Sequence, residues 1–215
     1  MASTRRDFIK QIGYVSIGFS LLGTACVEGH GDNNVNVAET DNSRHPNRIN
    51  AWLRVLEDGK IVVLTGKMEL GQGIRIAVMQ VAAEELNTSL DLIEVNLAET
   101  DVTPNEGYTA GSRSIESSAM SIRNAAASAR EKILKMASEK WEVPQAQLHL
   151  ENGIISGNNQ KMNLYELLEG KQIEENIGEP AEIKGKTIRK FVGKPILRKD
   201  IEDMVRGNQV YVQDL

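Results

Sequence analysis

The pattern of apolar and polar positions predicts three β-strands in the first half of the segment 49–170. Two β-rich runs flank Asp58-Gly59, a dipeptide typical of tight hairpin turns. The second run, Ile61 to Leu64, is continuously apolar, so we expect both of its faces to be buried. Across residues 93–97 apolar and polar side chains alternate, which predicts a strand with one exposed face.

Two amphipathic helices are predicted between and after these strands. The first begins at Ile74 and gathers its apolar residues on one stripe, which leaves Glu84 and Glu85 on the solvent side. The second begins near Ser114, and its apolar residues recur every three or four positions, as in a closely packed helix seam. The residues of this seam are Ile115, Ala119, Ile122, Ala126, Ala129, Ile133 and Met136.

Smaller elements follow the second helix. Asn152-Gly153 lies between two short runs and predicts a type I′ hairpin, and Gly170 ends a short helix. The order of elements predicts an α+β fold, a two-layer mixed β-sheet with two main helices on one face. Residues 171–215 are polar and are expected to form an extended connector.

Composition narrows the function classes. A chain of 215 residues with 40% hydrophobic but only 4% aromatic residues predicts one domain, or one and a half, with an aliphatic core. The net charge of −5 and the lack of basic runs interleaved with aromatics argue against a nucleic-acid partner. Cys26 is the sole cysteine and the three histidines lack metal-ligand spacing, so we expect neither a disulfide nor a protein-ligated metal.

The first 26 residues predict an export signal. Arg5-Arg6 precede Phe8-Ile9-Lys10, and a short, mostly apolar stretch follows that is too short to span a bilayer. The arginine pair and its neighbours resemble a twin-arginine signal, which directs folded proteins to the periplasm. We therefore expect a periplasmic protein, with residues 27–47, rich in Asn, Asp and Gly, as a flexible linker.

Cys26 leaves the mode of membrane attachment open. The sequence LLGTAC ends at this residue and resembles a lipoprotein processing site, with Gly23 where Leu is usual. Cys26 is therefore either a lipid-bearing N-terminus or a residue lost on cleavage. In the first case, the lipid on Cys26 would attach the protein to a membrane.

Two loops carry the candidate chemistry, and each opens a helix. The first contains Gly71-Gln72-Gly73, but Ile76 replaces the third glycine of a dinucleotide fingerprint. The second contains Thr109 and, from 111 to 114, Gly-Ser-Arg-Ser. Helix starts offer N–H groups and a positive dipole end, and arginine pairs with phosphate. The loops are therefore either a site for a phosphorylated cofactor or two ordinary caps, with Ser114 as an N-cap.

The first loop stands in the segment GKMELGQGIRIAVMQVAAEEL, and TAGSRS and an alanine-rich helix follow it. These segments, in this order and at this spacing, resemble the molybdopterin-binding domain of the xanthine dehydrogenase and aldehyde oxidase family. Within this family the segments resemble those of large subunits of the isoquinoline 1-oxidoreductase beta type. The resemblance implies cofactor contacts from two groups of residues: Leu70, Gly71, Gln72 and Gly73, at the pterin and phosphate end, and Gly111, Ser112, Arg113 and Ser114, at the far end.

The resemblance also implies a cofactor and an activity. The cofactor is molybdopterin cytosine dinucleotide, whose pterin dithiolene holds the molybdenum. The activity is that of a molybdenum hydroxylase, an oxidoreductase acting on an N-heteroaromatic compound or an aldehyde. The implied partners are a small [2Fe–2S] subunit and, as a further candidate, a c-type cytochrome. Ile76 departs from the family, because a threonine usually stands there.

The family's catalytic glutamate lies near the end of a much longer chain, so no catalytic residue is assigned here. Residues 48–170 correspond to a portion of the cofactor-binding domain, and residues 205–215 resemble the start of a following hammerhead-like domain. The chain is therefore expected to be one part of the enzyme, completed by a second chain that carries the rest of the large subunit. The alternative is a membrane-tethered interaction module, or a truncated relic of the family, without catalytic activity.

Overall fold

A computed structural model of the protein describes residues 45–177, 182–185, 189–198 and 200–208. The predicted signal peptide, Cys26, the linker up to residue 44 and the segment from residue 209 lie outside these described residues. The strands are β1 (Leu53–Val55), β2 (Ile61–Thr65), β3 (Ile93–Leu97), β4 (His149–Glu151), β5 (Ile154–Gly157) and β6 (Gln160–Asn163). The helices are α1 (Ile74–Leu86), α2 (Met120–Trp141), α3 (Leu164–Leu168) and α4 (Ile201–Arg206).

The first sheet is mixed, as predicted. β1 pairs with β2 in antiparallel register across the Asp58-Gly59 turn, and β2 pairs with β3 in parallel, with Ile61 opposite Ile93. The parallel pairing requires a crossover connection, and α1 forms it. Helices α1 and α2 pack against each other and against this sheet. These observations confirm the predicted α+β fold.

The second sheet is an antiparallel meander of β4, β5 and β6. Asn152 and Gly153 have φ values of 49° and 71°, the positive values that a type I′ turn requires. This turn is attached to the end of α1, because the Asn87 side chain donates to Leu150 O at 2.9 Å. The Asn152 N–H in turn donates to Asn87 O at 3.0 Å. The two sheets therefore share one hydrophobic core.

Alanines at the centre of α2 permit the close approach of α1. All of them are buried, which allows short interhelical distances because only methyl groups intervene. They are Ala125, Ala126, Ala127 and Ala129. Among the described residues, none of the helices combines the length and the apolar character needed to cross a bilayer.

Three expectations about burial were wrong. Glu84 and Glu85, expected on the solvent side of α1, are only 1% and 0% exposed. Side chains of α2, the backbone at Lys184 and the backbone of residues 190–192 lie on this side of the helix and supply hydrogen-bond donors to the two carboxylates. Ile115, expected in the seam of α2, is 57% exposed. It lies in a π-helical turn, Ser114–Ala119, which has more residues per turn than an α-helix, so Ile115 is shifted out of the α-helical phase.

Candidate functional site

The first candidate loop, which we call the glycine turn (residues 68–73), joins β2 to α1. Gly71 has a φ of +96°, a conformation that side chains with a Cβ rarely adopt. The Glu69 carboxylate accepts hydrogen bonds from the N–H groups of Gly71 (3.0 Å), Gly73 (2.8 Å) and Arg75 (3.2 Å). At the start of α1, the N–H groups of Gly73 and Arg75 are therefore occupied by a carboxylate of the chain itself.

The Gln72 side chain closes the same turn. Its Oε1 accepts from the Leu70 N–H, and its Nε2 donates to Met68 O at 2.7 Å. Both ends of the amide therefore hold the backbone of the turn, and the outer surface of Gln72 remains exposed. Gln72 thus fixes the shape of the turn and presents it to solvent.

The second candidate loop, which we call the hydroxyl loop (residues 105–114), lies directly against the glycine turn. Lys67, only 1% exposed, donates from its Nζ to Glu106 O (2.7 Å) and to Tyr108 O (3.0 Å). The Met68 N–H donates to the Thr109 Oγ1 at 2.9 Å. The structure therefore brings together the two loops that the sequence analysis singled out.

A second set of contacts holds the base of both loops. The Glu106 carboxylate accepts from the Gly66 N–H at 2.7 Å and from the Thr65 hydroxyl at 2.5 Å. Gly66 has to be a glycine, since a Cβ there would lie 2.3 Å from Pro104 O. The hydroxyl loop is thus attached to the end of β2 through side-chain and backbone contacts.

The hydroxyl loop enters the π-helical turn that precedes α2. Ser114 is the first residue of this turn and Arg113 takes the N-cap position without a side-chain capping hydrogen bond, so the structure does not support the alternative in which Ser114 caps the helix. Ser112 has a φ of +59°, and Ser117 Oγ donates to Arg113 O at 2.7 Å. In the described part of the chain, the Ser118 Oγ is buried without a hydrogen-bond partner. A π-helical turn of this kind often marks a functional site.

The assigned site residues differ in exposure. Leu70, Gly71, Gln72, Gly111, Ser112 and Arg113 are exposed, Ser114 is half-buried and Gly73 is buried. No atom lies within 4 Å of the position that a Cβ would take at Gly71 or Gly111. The backbone of both loops is therefore open to the approach of a ligand, and Arg113 is the positive charge of the hydroxyl loop.

Sequence reasoning missed the residues that shape the site from within. Lys67, Glu69 and Glu106 make the contacts that join the loops and fill the helix start. The available signal was a charged pair, Lys67 and Glu69, at the end of an otherwise apolar strand. Among the described residues, no group of three or more His, Cys, Asp or Glu side chains is placed to hold a metal ion.

Replacing Lys67 by methionine is expected to loosen the hydroxyl loop. Methionine matches the apolar stem of lysine but lacks the Nζ that donates to Glu106 O and Tyr108 O, which costs about 1–2 kcal/mol of unfolding free energy. Urea unfolding and hydrogen exchange across residues 105–113 measure the two effects. Lys161→Met, at an exposed position of β6, is the matched control. Equal exchange of the loop in both variants would contradict the role given to Lys67.

Comparison with known proteins gives the family. A model of the molybdopterin cofactor-binding domain matches residues 11–191. A nicotinate dehydrogenase subunit of Pseudomonas putida is 33% identical over 165 residues, 76% of this chain and 14% of that protein. The beta subunit of isoquinoline 1-oxidoreductase of Brevundimonas diminuta is 24% identical over 253 residues, 99% of this chain and 32% of that protein. The chain thus spans well under half the length of these relatives.

Solved structures show a partial likeness. Reconstituted CO dehydrogenase from Oligotropha carboxidovorans is 24% identical with a TM-score of 0.46, over 54% of this chain and 15% of that chain. The match to the family model confirms the predicted family and molybdopterin as the class of cofactor. Because this match extends over most of the chain and includes both loops, the protein belongs to the molybdopterin cofactor-binding domain family.

Proposed function

We propose that this chain is the cofactor-binding part of a periplasmic molybdenum hydroxylase that uses molybdopterin cytosine dinucleotide. The observation that carries the proposal is the meeting of the glycine turn and the hydroxyl loop, joined by Lys67 and by the Met68–Thr109 hydrogen bond. Two glycine backbones in these loops are open on their outer side. A long, polar cofactor can therefore contact both loops at once.

The residues present fit this cofactor. The exposed face of Leu70, Gly71 and Gln72 would contact its pterin and phosphate end, and Gly73 would support that face from beneath. At the far end, the Ser112 and Ser114 hydroxyls would donate hydrogen bonds, and Arg113 would pair with a phosphate. When bound, the molybdenum centre would supply the oxidation of the substrate with oxygen from water. The chain itself binds and orients the cofactor.

The completing partner in this proposal is a second chain that carries the rest of the large subunit, and a small [2Fe–2S] subunit would accept the electrons. The relatives support partner chains, since their names describe them as subunits of larger enzymes. Large apolar side chains also surround both loops and are exposed. They are Met68 (53%), Leu70 (66%), Tyr108 (93%) and Ile115 (57%). Such an apolar rim fits burial against another polypeptide.

A tethered interaction module without cofactor is the second candidate function. One observation favours it: Glu69 and both ends of the Gln72 amide satisfy the polar groups of the glycine turn from within. The two candidates differ in what the purified complex contains. Molybdenum and cytidine nucleotide in stoichiometric amount support the enzyme, and a complex that contains neither overturns it.

Replacing Gln72 by alanine tests the assigned turn. We expect the molybdenum content of the complex to fall about tenfold, which corresponds to the loss of ~1.4 kcal/mol of binding free energy. The reason is that the substitution removes both hydrogen bonds that the Gln72 side chain makes to the backbone of the turn. Metal analysis and nucleotide release measure the effect. The control is Gln160→Ala, an exposed glutamine of β6. Unchanged molybdenum content in the Gln72 variant would show that this turn does not hold the cofactor.

A further inference from the structure

The segment 189–198, which we call the strap, runs along α1 towards the glycine turn. The Glu84 carboxylate accepts hydrogen bonds from the N–H groups of Lys190 (3.0 Å), Phe191 (2.7 Å) and Val192 (3.0 Å). One turn earlier on α1, the Gln80 Nε2 donates to Phe191 O (2.8 Å) and Lys194 O (3.0 Å). Two side chains on one face of α1, Gln80 and Glu84, therefore hold the strap by hydrogen bonds to its backbone.

The far end of the strap contacts the glycine turn itself. Arg198 Nη1 donates to Gly71 O at 2.8 Å. Its Cδ lies 3.6 Å from the position that a Cβ would take at Gly73. A small cleft between Arg198 and the turn is lined by Glu69, Gly73, Arg75, Ile76, Met79, Arg198 and Asp200. The guanidinium therefore lies against the side of the glycine turn that faces the strap. No atom lies near the Cβ position of Gly71 on the other side, which we call the outer side.

Asp200 fixes the orientation of this guanidinium. Arg198 Nε donates to Asp200 Oδ1 at 2.9 Å, and Nη2 donates to Oδ2 at 2.6 Å. A two-bond pair of this kind sets the plane of the guanidinium as well as its position. Nη1 is thereby aimed at Gly71 O. The side chain of Arg198 is 20% exposed, so the contact is partly shielded from solvent.

We propose that Arg198 is a positioning residue for the glycine turn, and that it couples the strap to the cofactor-binding face. Glu69 holds the turn through its N–H groups, whereas Arg198 holds it through the carbonyl of Gly71. The two contacts hold the two peptide planes on either side of Gly71, so the outer face meets the cofactor preformed. The reference to a cofactor rests on the proposed function, but the positioning of the turn does not.

Hydrogen exchange of the full chain tests the positioning. Arg198→Met keeps an unbranched apolar stem but removes the guanidinium donors, and we expect exchange at Gly71, Gly73 and Arg75 to become about tenfold faster. Arg198→Lys keeps a positive charge and donor but not the two-bond pair with Asp200, so it is expected to recover only part of this protection. The N–H groups of Phe191 and Val192 are expected to stay protected, because Glu84 holds them.

Arg206→Met is the matched control, since Arg206 makes an exposed pair with Glu202 on α4. Unchanged exchange of the turn in Arg198→Met overturns the inference. Equal acceleration at the turn and at Phe191 and Val192 also overturns it, because the effect is then a general loosening. Molybdenum analysis of the wild-type complex separates the two proposals. A complex without molybdenum contradicts the proposed function but does not affect the exchange result.

Discussion

Replacing Glu85 by alanine is expected to lower the free energy of unfolding by roughly 3–5 kcal/mol, the usual cost of removing one partner from a buried ion pair. The Glu85 side chain is fully buried, and it accepts from Arg123 Nε (2.9 Å) and Arg130 Nη1 (2.8 Å). These two arginine side chains are only 10% and 18% exposed. The substitution leaves their charges uncompensated inside the protein.

Glu85 also binds a backbone N–H group from a distant part of the chain. Both oxygens of the carboxylate accept from the Lys184 N–H at 3.2 Å, so the same group joins α1, α2 and the segment before the strap. Loss of the carboxylate therefore releases several elements at once, which is why the expected effect is large. Urea unfolding at neutral pH measures it.

Glu94→Ala is the matched control for this experiment. Glu94 pairs with Lys60 on the surface, with side chains 48% and 40% exposed, and exposed pairs contribute at most about 1 kcal/mol. Glu85→Gln keeps the shape of the side chain and one acceptor oxygen. If the alanine variant does not fold, this variant measures how much the charge of Glu85 contributes to stability. A Glu85 variant no less stable than the Glu94 variant would contradict the structural role of the buried network.

Acidification is expected to weaken the attachment of the strap through Glu84. Burial raises the pKa of this carboxyl, but hydrogen bonds from the N–H groups of Lys190, Phe191 and Val192 outweigh burial, and the charge of Lys184 acts in the same direction. The net pKa therefore lies below its ordinary value of 4.5. A lowered pKa in the folded state means that the ionised form stabilises the fold.

Because the pKa of Glu84 is lower in the folded state, the stability of the protein should fall as the pH falls. The stabilisation is complete above the ordinary pKa of the carboxyl and is lost as the pH falls through the lower pKa of the folded state. Glu84→Gln cannot ionise, so the difference in stability from wild type should be largest near neutral pH and should shrink below about pH 4.5. Urea unfolding of both proteins between pH 7 and pH 3 measures the difference.

Glu151→Gln is the control, because Glu151 pairs with the Lys190 side chain at an exposed position. We expect this variant to follow the wild type at every pH. A Glu84→Gln difference that is constant from pH 7 to pH 3 would show that the charge of Glu84 does not hold the strap. Exchange of the Phe191 and Val192 N–H groups should follow the same pH dependence.

The elements of this fold were predictable because their signals are local. The Asp58-Gly59 and Asn152-Gly153 turns, the apolar run of β2 and the spacing within α1 and α2 all act over a few residues. The parallel pairing of β2 with β3 follows from the helix between them. The order of the two loops was equally visible, since each precedes a helix.

The interior of the site and the surroundings of α1 depend on contacts across long stretches of chain. Lys67 reaches carbonyl groups about forty residues away, and Glu84 binds N–H groups about a hundred residues away. A helical pattern assigns Glu84 and Glu85 to solvent because it contains no information about which segment will cover that side. The sequence by itself determined strands β1 to β5, helices α1 to α3 and the position of the two candidate loops. It did not predict β6 or α4, and α4 lies in the segment 171–215 that was expected to be an extended connector. Only the tertiary structure decided that Glu69, Lys67 and Arg198 hold those loops, since packing brings distant donors and acceptors within hydrogen-bond distance.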